Sequence, residues 1–265
     1  PSQGQGLEIS PPLIERDVDP GESLEVDIKV RNVTSGTVTT TAQVDDFVAA
    51  GEDGQPKLLL EEDAAEAEES PYSLKEWVSG VPDLTLVSQE VKTAKVSINV
   101  PTDASPGGHY GVVRFTATPA DAQGTAVALS ASIGSLILLR VSGDVVEQAN
   151  IQQFSSGYID PSTEEFQASS FFETGPISFL ERLQNTGNVH FKPTGSVVVK
   201  NLFGQEVAKL TVNENGGNVL PSSVRKFEQT LEGKVMFGRY SAELELTYGQ
   251  GQTLRQSISF WVIPY

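Results

Sequence analysis

The fold class predicted is all-β: two tandem immunoglobulin-like antiparallel β-sandwiches, with one short helix in an acidic insert of the first. Three observations predict it. Apolar and polar residues alternate at period two along most of the chain. Turn-forming residues recur between these runs. The same succession of strand, turn and strand occurs twice within 265 residues.

The alternation is clearest at Leu24, Val26, Ile28 and Val30, interleaved with Glu25, Asp27, Lys29 and Arg31. A strand puts successive side chains on opposite faces, so this run describes a half-buried strand of an antiparallel sheet. It returns at Ala94 to Val100, Val113 to Ala117, and Val127 to Ile133. The second half repeats it at Tyr240 to Tyr248 and at Leu254, Ile258, Phe260 and Val262.

Asp19-Pro20-Gly21, Ser35-Gly36, Asp53-Gly54, Pro106-Gly107-Gly108, Asn215-Gly216-Gly217 and Gly249-Gln250-Gly251 mark turns between the runs. Both halves carry a strand ending in asparagine before a Thr/Gly turn, at Asn32 and at Asn185. Both also carry a Gly-x-Tyr strand start, at Tyr110 and Tyr240, where the phenol is expected to bond nearby backbone. These repeats divide the chain into domains at 1–145 and 146–265, with an insert at 50–83 in the first.

Within the insert, six of the nine residues Glu61 to Glu69 are acidic, which reads as a solvated loop. Ser70-Pro71 then suits a helix N-cap and first turn, with Leu74, Trp77 and Val78 on one face. Alternation breaks at Asp45-Asp46-Phe47, where a β-bulge is expected.

The net charge is −17, with −14 in residues 1–146 and −3 in residues 147–265. Neither half offers the basic footprint that nucleic acid demands. With no cysteine there is no disulfide, thiolate metal site or thiol nucleophile. The two histidines, His109 and His190, fall in different domains and outside any hydrolase-like frame, and no phosphate-binding glycine loop is present. An enzyme is therefore not expected. No apolar run is of bilayer-spanning length. The start at Pro1 suggests a trimmed product, and any membrane attachment is expected through an anchor outside this chain.

Candidate ligand-binding residues are Tyr72, Trp77, Asp46 and His109, of which Tyr72 and Trp77 could form an aromatic platform for a glycan. The structural reading of Trp77, as the buried anchor of the short helix, is preferred over the platform. No cofactor is expected apart from calcium: Asp17, Asp19 and Glu22 surround the Pro20-Gly21 turn and supply the oxygens that calcium takes. Their spacing is not that of a helix–loop–helix calcium loop, and an acidic turn accounts for them too.

Leu7-Glu8-Ile9-Ser10-Pro11, then Asp19-Pro20-Gly21-Glu22 and the strand to Asn32, resembles the opening of the peptidoglycan-binding domain of WxL-interacting proteins. Pro101 and Pro106-Gly107-Gly108-His109-Tyr110-Gly111 continue the likeness. Asn185-Thr186-Gly187-Asn188-Val189-His190, with Pro193, Gly195 and Leu202-Phe203-Gly204, resembles a hairpin of that family's second domain. Trp261-Val262-Ile263 is not the WxL motif itself, and the acidic insert has no place in the family pattern. The resemblance implies an extracellular protein of the bacterial cell envelope. Its first domain would bind peptidoglycan or another surface glycan, and its second a partner surface protein or host protein. Two other readings stand beside it: a pilus-chaperone-like protein that accepts or donates a strand at an open sheet edge, and a spacer with no ligand.

Overall fold

In Ser23–Asn32 every second side chain from Val26 to Asn32 is buried and every intervening one is exposed, as the alternation demands. A computed structural model describes residues 2–3, 6–60, 70–119, 131–234 and 236–264. It is built of strands, and the chain divides into two compact units. One comprises Pro1–Val48 and Pro56–Val145; the other comprises Ala49–Gln55 and Val146–Tyr265.

The first unit contains β1 (Ser2–Gln3), β2 (Leu7–Ser10), β3 (Leu13–Val18), β4 (Ser23–Asn32), β5 (Val38–Ala50, whose last two residues fall in the second unit) and β6 (Gln55–Leu59, whose first residue also does). It continues with β7 (Val78–Ser79), β8 (Leu84–Leu86), β9 (Val91–Asn99), β10 (Gly107–Pro119) and β11 (Ala131–Val141). One sheet runs β1-β2-β4-β9-β7; the other runs β3-β11-β10-β5-β6, with β8 on β5. Ile28, Val96 and Ile98 from the first sheet meet Phe115, Ile137 and Leu139 from the second in one core. Full burial of side chains of this size contributes about 1.5–3 kcal/mol each.

The second unit contains β12 (Ala149–Ile159), β13 (Phe166–Ala168), β14 (Phe171–Phe172), β15 (Ile177–Asn185), β16 (Thr194–Asn201), β17 (Glu206–Val212), β18 (Val224–Leu231), β19 (Gly238–Tyr248) and β20 (Gln252–Val262). Its sheets run β13-β12-β15-β18 and β14-β20-β19-β16-β17. Phe154, Phe179 and Leu183 from one sheet meet Val197, Leu244 and Phe260 from the other. Ala49–Gln55 belongs with this unit, where the Glu52 carboxylate accepts from Arg182 Nε at 3.0 Å and Nη2 at 2.6 Å. The Arg182 guanidinium holds the Glu52 carboxyl below its usual range.

The repeat seen in the sequence has one physical basis in both units. Asn32 and Asn185 are fully buried at the ends of β4 and β15. Asn32 Nδ2 donates to the carbonyls of Gly36 and Leu86, and its Oδ1 accepts from the Thr34 amide. Asn185 Nδ2 donates to the carbonyls of Val189 and Val219, and its Oδ1 accepts from the Gly187 amide. One side chain thus supplies the hydrogen bonds that a chain leaving a sheet would otherwise lack. Tyr240 performs the expected phenol role, accepting from the Phe237 amide at 3.1 Å.

One expectation is corrected. The helix capped by Ser70 is instead a single 3₁₀ turn, Lys75–Trp77, that starts after Leu74. The Ser70 hydroxyl bonds the Tyr72 amide in a local turn, and the Leu74 and Tyr110 backbones are hydrogen-bonded, so sheet contacts displace the helix ladder. The bulge expected at Asp45-Asp46-Phe47 falls where pairing with β10 ends: the register runs unbroken from Val38↔Pro119 to Asp45↔Val112 and stops before Asp46. Alternation fails there because Asp45 and Phe47 are both buried on the face opposite the core. Asp45 is matched by Arg114 Nε at 2.9 Å. The acidic run 61–69 lies outside the described residues.

Candidate binding edge

Strand β20 hydrogen-bonds along its full length to β19 on one side, from Tyr248↔Gln252 to Gly238↔Val262. On the other side β14 pairs only with Trp261 and Val262, in parallel. Residues 252–260 therefore have no hydrogen-bonded strand on their outer side among the described residues. Strand β12 of the facing sheet passes close without pairing to it.

The orientation of this edge follows from two hydrogen bonds. The Trp261 amide donates outward to the Ser170 carbonyl and the Ile263 amide to that of Phe172, each at 2.8 Å. At period two, the amides of Thr253, Arg255, Ser257 and Ser259 point outward as well. The even positions face the core: Leu254 and Ile258 are half-buried and Phe260 is fully buried. An extended segment laid here would find alternate backbone donors and acceptors, with half-covered apolar side chains beneath it. Arg255, held by Glu245 at 2.8 Å, and the exposed Gln256 limit indiscriminate pairing of this edge. The alternation of β20 was legible in the sequence, but its place at an edge was not, because that depends on which strands pair.

The candidate ligand-binding residues are each engaged within their own unit. The Trp77 ring lies 4.3 Å from the His109 ring, the Tyr72 ring lies 6.1 Å from that of Tyr110, and Ser73 Oγ donates to Asp46 at 2.5 Å. His109 is buried, with Nε2 2.8 Å from the Ser105 carbonyl and Nδ1 3.2 Å from that of Ser73. One face of Trp77 is thus occupied by His109, and the cluster ties the segment around the 3₁₀ turn to β10. This geometry braces the loop against the sheet and leaves the Tyr72 and Trp77 rings half-buried.

The three acids around Pro20-Gly21 do not converge. Asp19 accepts from Ser142 Oγ at 2.5 Å, and Glu22 accepts from the Asp19 amide at 2.8 Å. Asp17 stands on β3 opposite Arg140. Among the described residues no group of three or more histidines, aspartates or glutamates is arranged to hold a metal ion. These carboxylates close a turn, which removes the geometric basis for the calcium site.

No family model matches the chain, and no curated protein matches it. Solved structures similar to it include one of a chaperone–tip adhesin complex of CFA/I fimbriae, at 12% identity over 98% of this chain and 99% of that one, with a TM-score of 0.44. The class 5 fimbriae chaperone CfaA is similar at 12% identity over 98% and 100%, with a TM-score of 0.44. The Escherichia coli chaperone DraB is similar at 12% identity over 97% and 96%, with a TM-score of 0.40.

Proposed function

We propose that this chain is a non-catalytic protein-binding module that accepts an extended segment of a partner on the outer edge of β20. The observation that carries this reading is the run 252–260, nine residues of edge with outward amides and core-facing Leu254, Ile258 and Phe260. Strand addition draws affinity from main-chain hydrogen bonds and selectivity from the alternate side chains. The reading favours the strand-accepting alternative over glycan attachment, since the Tyr72 and Trp77 rings pack against residues of their own unit.

The test uses ten-residue peptides of alternating Val and Thr, acetylated and amidated, with N-methylated copies as controls. Hydrogen exchange at the amides of Arg255, Ser257 and Ser259 is expected to slow on peptide addition, and the N-methylated copies are expected to have no effect. Ser257→Pro removes one outward donor without removing a bond to β19, so the fold is expected to survive while peptide protection is lost. Equal protection in the Ser257→Pro protein, or none in the unaltered chain, would overturn the reading.

A further inference from the structure

A second feature of the same unit is independent of strand pairing. The loop after β14 and the ends of β12, β15 and β18 enclose an open cleft of about 610 Å³. Its walls include the rings of Tyr158 and Phe171, 44% and 61% exposed. Phe171 is stacked at 18° on Trp261, itself 41% exposed, with ring centroids 6.4 Å apart. Large aromatic side chains left this open in a soluble fold mark a contact surface.

The polar lining has one sign. Glu173 and Glu232 are its charged residues, accompanied by Thr174, Ser178 and Thr230; no lysine, arginine or histidine lines it. Both glutamates are exposed, and among the described residues neither is engaged in an ion pair. Ring faces carry negative electrostatic potential and attract cations, and nearby carboxylates add to that attraction. The walls also suit the apolar stem of a lysine or arginine, whose charged head would then reach the glutamates.

We infer that this cleft receives a lysine or arginine side chain of a partner polypeptide, gripped by Tyr158 and Phe171 and neutralised by Glu173 and Glu232. Charge complementarity selects this occupant: an anionic ligand would meet two carboxylates and no counter-charge. A neutral saccharide would use the rings but leave both carboxylates without a positive partner.

The experiment follows the backbone amides of Glu173, Thr174, Gly175 and Glu232 in the 15N-labelled full chain. The probes are the peptide acetyl-Gly-Leu-Arg-Leu-Gly-amide, its citrulline counterpart of matched shape without charge, and the tetramer of N-acetylglucosamine. The arginine peptide is expected to shift these amides saturably, and the citrulline peptide to bind at least about fivefold more weakly. The double variant Glu173→Gln/Glu232→Gln is expected to lose a similar factor, and added salt to weaken the arginine peptide alone. Ser257→Pro is expected to leave this binding unchanged, so failure of the edge and failure of the cleft are told apart. Equal binding of the citrulline peptide, shifts confined to other residues, or a response to the saccharide without one to the arginine peptide would overturn the assignment.

Discussion

Glu181→Gln is expected to stabilise the second unit by about 3 kcal/mol at pH 7 and to have almost no effect at pH 4. Glu181 sits in the middle of β15 at a core-facing position, between Phe154 of β12 and Phe227 of β18. It is fully buried, and neither carboxylate oxygen meets a hydrogen-bond donor at bonding geometry. Burial pushes its carboxyl up to about 8, against an ordinary value of 4.5, and the nearby Gln229 amide offsets only part of that rise. The folded chain therefore holds a proton between those two values that the unfolded chain has released. Stability from this group is fully present below the unfolded value and is lost as pH rises towards the folded one. Each unit of separation is worth about 1.4 kcal/mol, which gives the figure expected at neutral pH. Glutamine keeps the shape and cannot ionise, so the slope disappears. Urea unfolding at pH 4, 7 and 9, followed by Trp261 fluorescence in a Trp77→Phe background, measures it. A stability gap between the two proteins that stays constant across these pH values would refute the assignment of the proton to Glu181.

The second large effect concerns the buried asparagines. Asn185→Ala is expected to cost about 2–4 kcal/mol, and Asn32→Ala a similar amount in the first unit. At fully buried positions, Asn185→Ala removes two donated bonds and one accepted bond, and Asn32→Ala two donated and two accepted. The carbonyls of Val189 and Leu86 then lose donors where water does not easily replace them. Asn185→Asp is expected to cost at least as much, because it exchanges the donor for a charge. The Trp261 signal reads the effect at Asn185, and Trp77 fluorescence reads it at Asn32. A loss below about 1 kcal/mol at either site would show that its turn is held by other contacts.

Much of the architecture was present in local pattern. The burial of alternate residues from Val26 to Asn32 follows from period-two chemistry alone. The twin asparagines were recognisable as one plan used twice, because the same turn needs the same donor wherever it occurs. Ser70-Pro71 shows where such reasoning ends. Its capping signal was sound locally, but backbone bonds between Leu74 and Tyr110 outweigh a single helical turn. The Asp45–Phe47 break was also visible, but its cause, burial of both faces of β5, depends on what covers the sheet.

The candidate sites were the least legible part. Tyr72 and Trp77 could be named from the sequence as candidate aromatics, but their ring partners, Tyr110 and His109, follow from how the loop packs on β10. The all-β class, the repeated turn chemistry and the residues that face each core were legible in local pattern, because these depend on side-chain periodicity and on local backbone demands. The edge position of β20, the enclosure of Glu181 between phenylalanines, and the cleft shared by Tyr158 and Phe171 with Glu173 and Glu232 arise only in the folded chain. Each of these depends on which distant segments pair, and strand pairing is chosen by the balance of the whole unit rather than by any local run of residues.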